Sequence, residues 1–162
     1  MTKRNACILI LMLSMVFVFS KKQEKDCIPS IYPVNGYIIR EFGEYTDPSS
    51  GEKKFNKGIH IGAKIRSKVI AVAEGIIKTI GKQEDSGYVV TIDHGCGYTT
   101  RYVHLMKNLK VKEGQKVKRH DVIGFLGDSG SKKEPFLYYE IRYNNKPINP
   151  SSVILSRTKP EK

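Results

Sequence analysis

At 162 residues the chain has room for one domain with a substantial core and too little for two comfortable ones. Its 28 Lys and Arg against 16 Asp and Glu give a formal charge of +12, which suits a polyanionic partner. No run combines Lys/Arg clustering with interleaved aromatics, which excludes a dedicated nucleic-acid face.

Residues 1–20, "MTKRNACILILMLSMVFVFS", begin with Lys3 and Arg4, continue as an apolar run from Ala6 to Phe19 and end on Ser20. The run is shorter than the roughly 20 residues of a comfortable bilayer span. It therefore reads as a signal peptide for export, with an uncleaved N-terminal tether as the alternative. Outside the cytoplasm, the remaining positive charge favours cell-wall polymers or anionic lipid headgroups. Residues 21–27 form a polar linker, too charged to pack. Cys7 lies in the signal, leaving Cys27 and Cys96, and an even number of cysteines in an exported chain invites a disulfide between them.

The domain is expected over 28–155. Its segments "YIIREFG", "KVIAVAEGIIKTIG", "YVVTIDHG", "YTTRYVHL", "DVIGFLG" and "LYYEIRYN" are short, rich in Val, Ile, Tyr and Thr, and mostly bounded by Gly, Asp, Asn or Pro. No stretch keeps an apolar helical period for three turns. The expectation is an all-β barrel or sandwich of short antiparallel strands with an open groove. Hairpin-type turn residues occur at 93–98 and 143–147, and "EYTDPSSGEKKFN" reads as a polar loop framing the groove. The tail 156–162 is polar and expected to be disordered.

In their order, "YPVNGYIIREFG", "KGIHIGAKIRSKVIAVAEGIIKTIG", "GYVVTIDHGCGYTTRYVHL", "VKEGQKVKRHDVIGFLGDSG" and "LYYEIRYNNKPINP" resemble the lysostaphin-type, or LytM, zinc endopeptidases that cut peptide cross-bridges in peptidoglycan. The resemblance spans roughly Tyr32 to Pro150 and implies a groove-bearing β fold built on a duplicated hybrid motif. It also implies where the metal ligands should be. The family's H-x-G-x-D pattern, whose His and Asp bind zinc, falls on Asn56, Gly58 and His60. Its H-L-H-F-E-I pattern, a catalytic His followed by a zinc-binding His, falls on Phe136 to Ile141. Phe136 and Tyr138 therefore stand where the two histidines belong, and the family's other catalytic His is retained as His104.

Zinc hydrolysis needs three protein ligands, an open position for water and a group that handles the proton. Asn56 offers a neutral amide, Tyr138 a phenol, and His60 one imidazole at the carboxylate position. Such a set is a poor zinc site. With Phe136 in place of an imidazole, half of the proton-handling pair is gone. The expectation is no catalytic residue, no bound metal and no cofactor, in a pseudo-metallopeptidase of the cell envelope or periplasm. That protein would bind peptidoglycan or regulate a wall hydrolase or division protein, as degenerate relatives do. The alternative is an active zinc-dependent murein endopeptidase using His60 and His104.

Asn56, His60, Arg101, Tyr102, His104, Phe136 and Tyr138 are the groove candidates; strand alternation puts Tyr102 and His104 on one face. Against these stand plainer readings: His104 as a structural His, Phe136 and Tyr138 as core-filling rings, Arg101 and Lys57 as surface charges. His94 is expected to serve a turn and His120 to face solvent. A Glu74–Glu140 glycosidase pair and a biotinyl- or lipoyl-carrier reading are both set aside, the first for want of distinctive partners in sequence and the second because Lys57 and Lys82 lack the carrier hairpin.

Overall fold

The described chain folds into twelve short strands: β1 Tyr37–Arg40, β2 Gly43–Thr46, β3 Lys53–Asn56, β4 Ile59–Gly62, β5 Lys68–Ile70, β6 Gly75–Gln83, β7 Gly87–Gly95, β8 Tyr98–Leu105, β9 Lys116–Val117, β10 Val122–Phe125, β11 Phe136–Tyr143 and β12 Lys146–Ile148. A single helical turn, α1 Pro150–Val153, follows, capped by the Asn149 side chain accepting from Ser151 N. The structure, a computed structural model, describes residues 26–83, 87–128 and 135–154. The signal, most of the linker and the C-terminal tail inferred from sequence lie outside them. Among the described residues no helix is long and apolar enough to cross a membrane.

Eight strands form one antiparallel sheet in the order β1-β4-β11-β8-β7-β6-β9, with β12 paired to β11. The order ends at β1 and β9 without closing, so of the two forms expected the sheet is the open, layered one rather than a barrel. Ile59 faces Tyr139, and Tyr139 faces Tyr102, across β4, β11 and β8. Together with Ile61, Leu137, Ile141, Val90 and Ile92 they make one continuous apolar surface with no exposure to solvent. The smaller β5–β10 pair supplies Val69 and Ile123 to the same core, along with Leu126 just beyond β10. The segment "KVIAVAEGIIKTIG" splits into β5 and β6 because Ala71, Val72 and Ala73 between them are all buried in a connection rather than paired as strand.

Two turns follow their residues closely. Asn144 and Asn145 both take positive φ, 47° and 64°, between β11 and β12, the conformation a two-residue hairpin requires. Gly95, Cys96 and Gly97 do the same between β7 and β8, where Cys96 (φ 50°) bonds to Cys27 with Cα atoms 6.3 Å apart. Arg119 fastens the same N-terminal stretch: Nη1 donates to Ser30 Oγ at 2.9 Å and Nη2 to the Ile28 carbonyl at 3.2 Å.

The polar stretch 44–56 is more ordered than a loop. Glu44 to Thr46 pair with Lys53 to Phe55 as the β2–β3 hairpin, closed by Lys54 Nζ against Asp47 Oδ2 at 2.6 Å. Every residue there except Asn56 is exposed or half-buried, so no apolar alternation announced the strands.

Candidate functional site

The site forms on the face of the sheet opposite the apolar core. On β4 and β11 that face carries His60, Phe136, Tyr138 and Glu140, because these positions alternate with buried Ile59, Ile61, Leu137 and Tyr139. His60 pairs directly across from Tyr138, and Phe136 from Gly62. Gly58, just before β4, packs so closely that a β-carbon there would collide with the Tyr139 carbonyl oxygen. That close approach sets Asn56 and His60 against β11.

His104 reaches this cluster by a different route. The β7–β8 register shifts between the Val90–Tyr102 and Tyr88–Leu105 pairs, so β8 carries one extra residue there, and His104 sits in the bulge with φ 72°. The bulge breaks the alternation that would have kept Tyr102 and His104 on one face. Tyr102 is accordingly not a groove residue. It is wholly buried, 5.4 Å from the Tyr139 ring, with its hydroxyl accepting from Val72 N at 3.4 Å and from Thr100 Oγ1 at 3.1 Å.

Four rings pack where the family pattern would place metal ligands and the catalytic pair: His60 and Tyr138 at ligand positions, His104 and Phe136 at the catalytic ones. Phe136 stacks flat on His60, centroids 4.6 Å apart and planes 8° from parallel, and meets His104 edge-on at 4.6 Å. Tyr138 meets His60 edge-on at 5.4 Å. Burial, then the Arg40 and His104 charges, pull the His60 imidazole down to about 4, so it is neutral at neutral pH. The Tyr138 phenol is held well above its usual range by burial first and by Glu140 second. It stays protonated and donates to Glu140 Oε2 at 3.1 Å. Glu140 is almost fully buried, and its other oxygen accepts from Arg142 Nε at 2.6 Å.

Asn56 is buried at the end of β3, and its amide nitrogen donates to the Glu41 carbonyl at 2.8 Å. Asn56, His60, Phe136 and Tyr138 do not fit a three-ligand zinc site. Asn56 offers only a neutral amide oxygen, Tyr138 holds its phenol proton against a carboxylate, and Phe136, at the second catalytic His position, offers no donor while filling space against both imidazoles. Among the described residues no group of three or more His, Cys, Asp or Glu side chains is placed to hold a metal ion.

Arg101 lies directly across from Glu140, half-buried at the edge of the cluster, while Lys57 is exposed between buried Asn56 and Gly58. Arg40, which sequence reasoning passed over, pairs across from His60 and stacks 4.1 Å over Tyr45. Only knowledge that β1 and β4 are neighbours would have identified it. His94 is buried rather than a turn residue: Nδ1 bonds the Glu74 carbonyl and Nε2 bonds Thr100 Oγ1, each at 2.7 Å. His120 is exposed, with φ 75°, in a glycine-like turn. Glu74 is near His94 and at a distance in chain topology from the aromatic cluster around Glu140, on β11.

Residues 54–150 match peptidase family M23. The chain is 37% identical over 118 residues to the DD-carboxypeptidase/endopeptidase Mpg of Neisseria meningitidis, covering 73% of this chain and 27% of that protein. It is 33% identical over 130 residues to the cell division protein DipM of Caulobacter vibrioides, covering 76% of this chain and 20% of that one. A zinc-containing peptidase from Vibrio cholerae shares its structure with a TM-score of 0.68 at 29% identity, over 75% of this chain and 38% of the other. The chain thus spans about a quarter of the length of the curated relatives it matches. With a match that runs from β3 to the start of α1 and takes in every position of the aromatic cluster, the chain belongs to peptidase family M23.

Proposed function

We propose that this chain is a non-hydrolysing member of its family, exported to the cell envelope, whose groove holds peptidoglycan peptide and thereby places or regulates a wall hydrolase. The observation that carries the reading is the Phe136 ring packed against both His60 and His104 at 4.6 Å. A ring there stands in place of one of the two proton-handling imidazoles, and Asn56 and Tyr138 supply a neutral amide and a protonated phenol in place of two imidazole ligands. What remains is an aromatic floor flanked by Arg40 and Arg101. Rings give sugar or peptide a stacking surface and the guanidinium groups suit the carboxylates of a stem peptide. The kinship with a protein named for cell division supports a role beside other envelope proteins.

Two measurements test the proposal together. Purified protein is dialysed and its zinc counted, and its association with isolated sacculi is followed across a salt series. The expected outcome is substoichiometric zinc, no release of peptidoglycan fragments, and a binding component that survives salt high enough to screen a charge-only association. Stoichiometric zinc with chelator-sensitive cleavage would make the chain an active endopeptidase using His60 and His104 and overturn the proposal. Binding that vanishes with salt would remove the groove from it.

A further inference from the structure

Beyond the aromatic cluster, the same face of the sheet carries charge. Arg101 on β8 has Glu140 across from it on β11 and Thr91 across from it on β7. Arg142 follows two residues beyond Glu140, on the same face. Glu140 is the only carboxylate in β4, β8 and β11, and both its oxygens are engaged: one accepts from Arg142 Nε at 2.6 Å, the other from the Tyr138 hydroxyl at 3.1 Å. Asp93, one row further along on β7, lies 3.7 Å from Lys78 Nζ. Arg101 is half-buried, and among the described residues no carboxylate forms an ion pair with it.

A guanidinium half-withdrawn from water, beside a carboxylate whose oxygens are taken, is left to an anion from outside. Its planar fork suits a carboxylate, which accepts two parallel N–H···O bonds. The surroundings set how much charge the ligand carries. Arg101 and Arg142 both lie close enough for their charge to act on the Tyr138 phenol, yet burial and Glu140 keep that phenol protonated. Burial likewise keeps His60 neutral. The next guanidinium without a carboxylate, Arg40 on β1, is three strands from β8, about 14 Å at the usual strand spacing. A polymer with a phosphate at every link would meet one cation and then an uncharged floor. The rings lie on one side of Arg101 only, with Thr91 on the other, so a ligand that ends in a carboxylate and trails an uncharged backbone matches the row.

We infer that the groove takes a peptide by its free C-terminal carboxylate, seated on Arg101, with the preceding residues lying over Tyr138, His60 and Phe136. Arg142 is a positioning residue: by holding Glu140 it keeps that carboxylate from closing on Arg101. Cross-linking through the carboxyl end of a stem peptide turns the carboxylate into an amide, so the ligand is an uncross-linked stem end rather than a bridge. The inference rests on the reading of the groove as a site for peptidoglycan peptide and narrows it to one chemical form.

The test is calorimetric titration of the full chain with a synthetic stem tetrapeptide bearing a free C-terminal carboxylate, and with the same peptide as its C-terminal amide. Only the terminal charge differs between them. The amide is expected to bind about tenfold more weakly, the scale of charge-assisted hydrogen bonds to one carboxylate. Arg101→Gln should bind the free acid as weakly as the amide, whereas Lys116→Gln, which removes a positive charge from edge strand β9, should keep the tenfold ratio. Circular dichroism checks that Arg101→Gln folds, and the ratio measured on the native chain stands whatever that variant does. Equal binding of the two peptides by the native chain overturns the inference and leaves the groove reading in place; binding of neither overturns both. Discrimination that survives in Arg101→Gln removes Arg101 from the site. Arg101-dependent binding of soluble poly(glycerol phosphate) tighter than that of the free-acid peptide would assign the site to a wall polymer and overturn it as well.

Discussion

The assignment of Asn56, His60 and Tyr138 to the family's zinc positions, and of Phe136 to its second catalytic His, is tested by restoring the pattern with Asn56→His, His60→Asp, Phe136→His and Tyr138→His. The structure sets the cost without metal. Asn56→His removes the 2.8 Å bond to the Glu41 carbonyl, about 1 kcal/mol. Tyr138→His removes a bond to a carboxylate, about 1.5 kcal/mol, and Phe136→His disturbs two ring contacts of about 0.5–1 kcal/mol each. The metal-free variant should therefore be less stable by about 3.5–4.5 kcal/mol, a fall in melting temperature of about 10–18 °C for a domain this size. Zinc at a thousand times its dissociation constant would add back about 4 kcal/mol. The assay is thermal unfolding of both proteins with zinc and with chelator, alongside metal analysis. The variant should rise by about 15 °C on adding zinc, and the native chain should not move. An equal zinc shift in the native chain would refute the assignment of the replaced ligands, and so would a folded variant indifferent to zinc.

Stability should also fall with acid before the carboxylates titrate. Burial holds His60 and His94 at about 4, below the ordinary 6.5, so between those values the unfolded chain binds more protons. Their contribution is complete above pH 6.5 and is lost as pH falls toward 4, amounting to about 2–3 kcal/mol for well-buried His94 and about 1 kcal/mol for half-buried His60. Urea unfolding at pH 7, 6 and 5 reads this directly; equal midpoints at all three would sink it. Opening the Cys27–Cys96 bridge, which closes a loop with a sequence separation of 69, should cost about 4 kcal/mol by chain entropy. Cys27→Ser/Cys96→Ser compared with the native chain in chemical denaturation checks it, and a difference under about 1 kcal/mol would show that the Arg119 clamp alone holds the strap.

Strands with one apolar face are legible in the amino-acid sequence itself. β8 and β10 fall within the segments that Val, Ile, Tyr and Thr content marks out, and β7 and β11 begin one residue before theirs. Legibility fails where geometry departs from period two. Tyr102 and His104 are two apart and read as neighbours on a face, but one extra residue in β8 separates them, and no feature of "YTTRYVHL" announces a bulge. His94 precedes a turn glycine, yet its place is decided by Thr100 and the Glu74 carbonyl, the latter 20 positions away. Arg40 enters the site through the β1–β4 pairing, a long-range choice that local pattern does not encode. At the second catalytic His position the residue type speaks plainly, since Phe136 has no donor whatever its neighbours. That Asn56 and Tyr138 are each bound to something else follows only from the folded arrangement, because Glu41 lies 15 positions from Asn56 and a strand pattern says nothing of side-chain partners.

The covalent strap at Cys96 also determines how tension would run through the molecule. A pull on the chain upstream of Cys27, opposed by a ligand held at His60 and Phe136, passes through the disulfide into the β7–β8 turn and along β8 toward β11. The Arg119 clamp on Ile28 and Ser30 shares the load at the entry point. The disulfide thus gives the domain a short covalent route by which a tug at its entry point reaches β8 and, through β11, the groove.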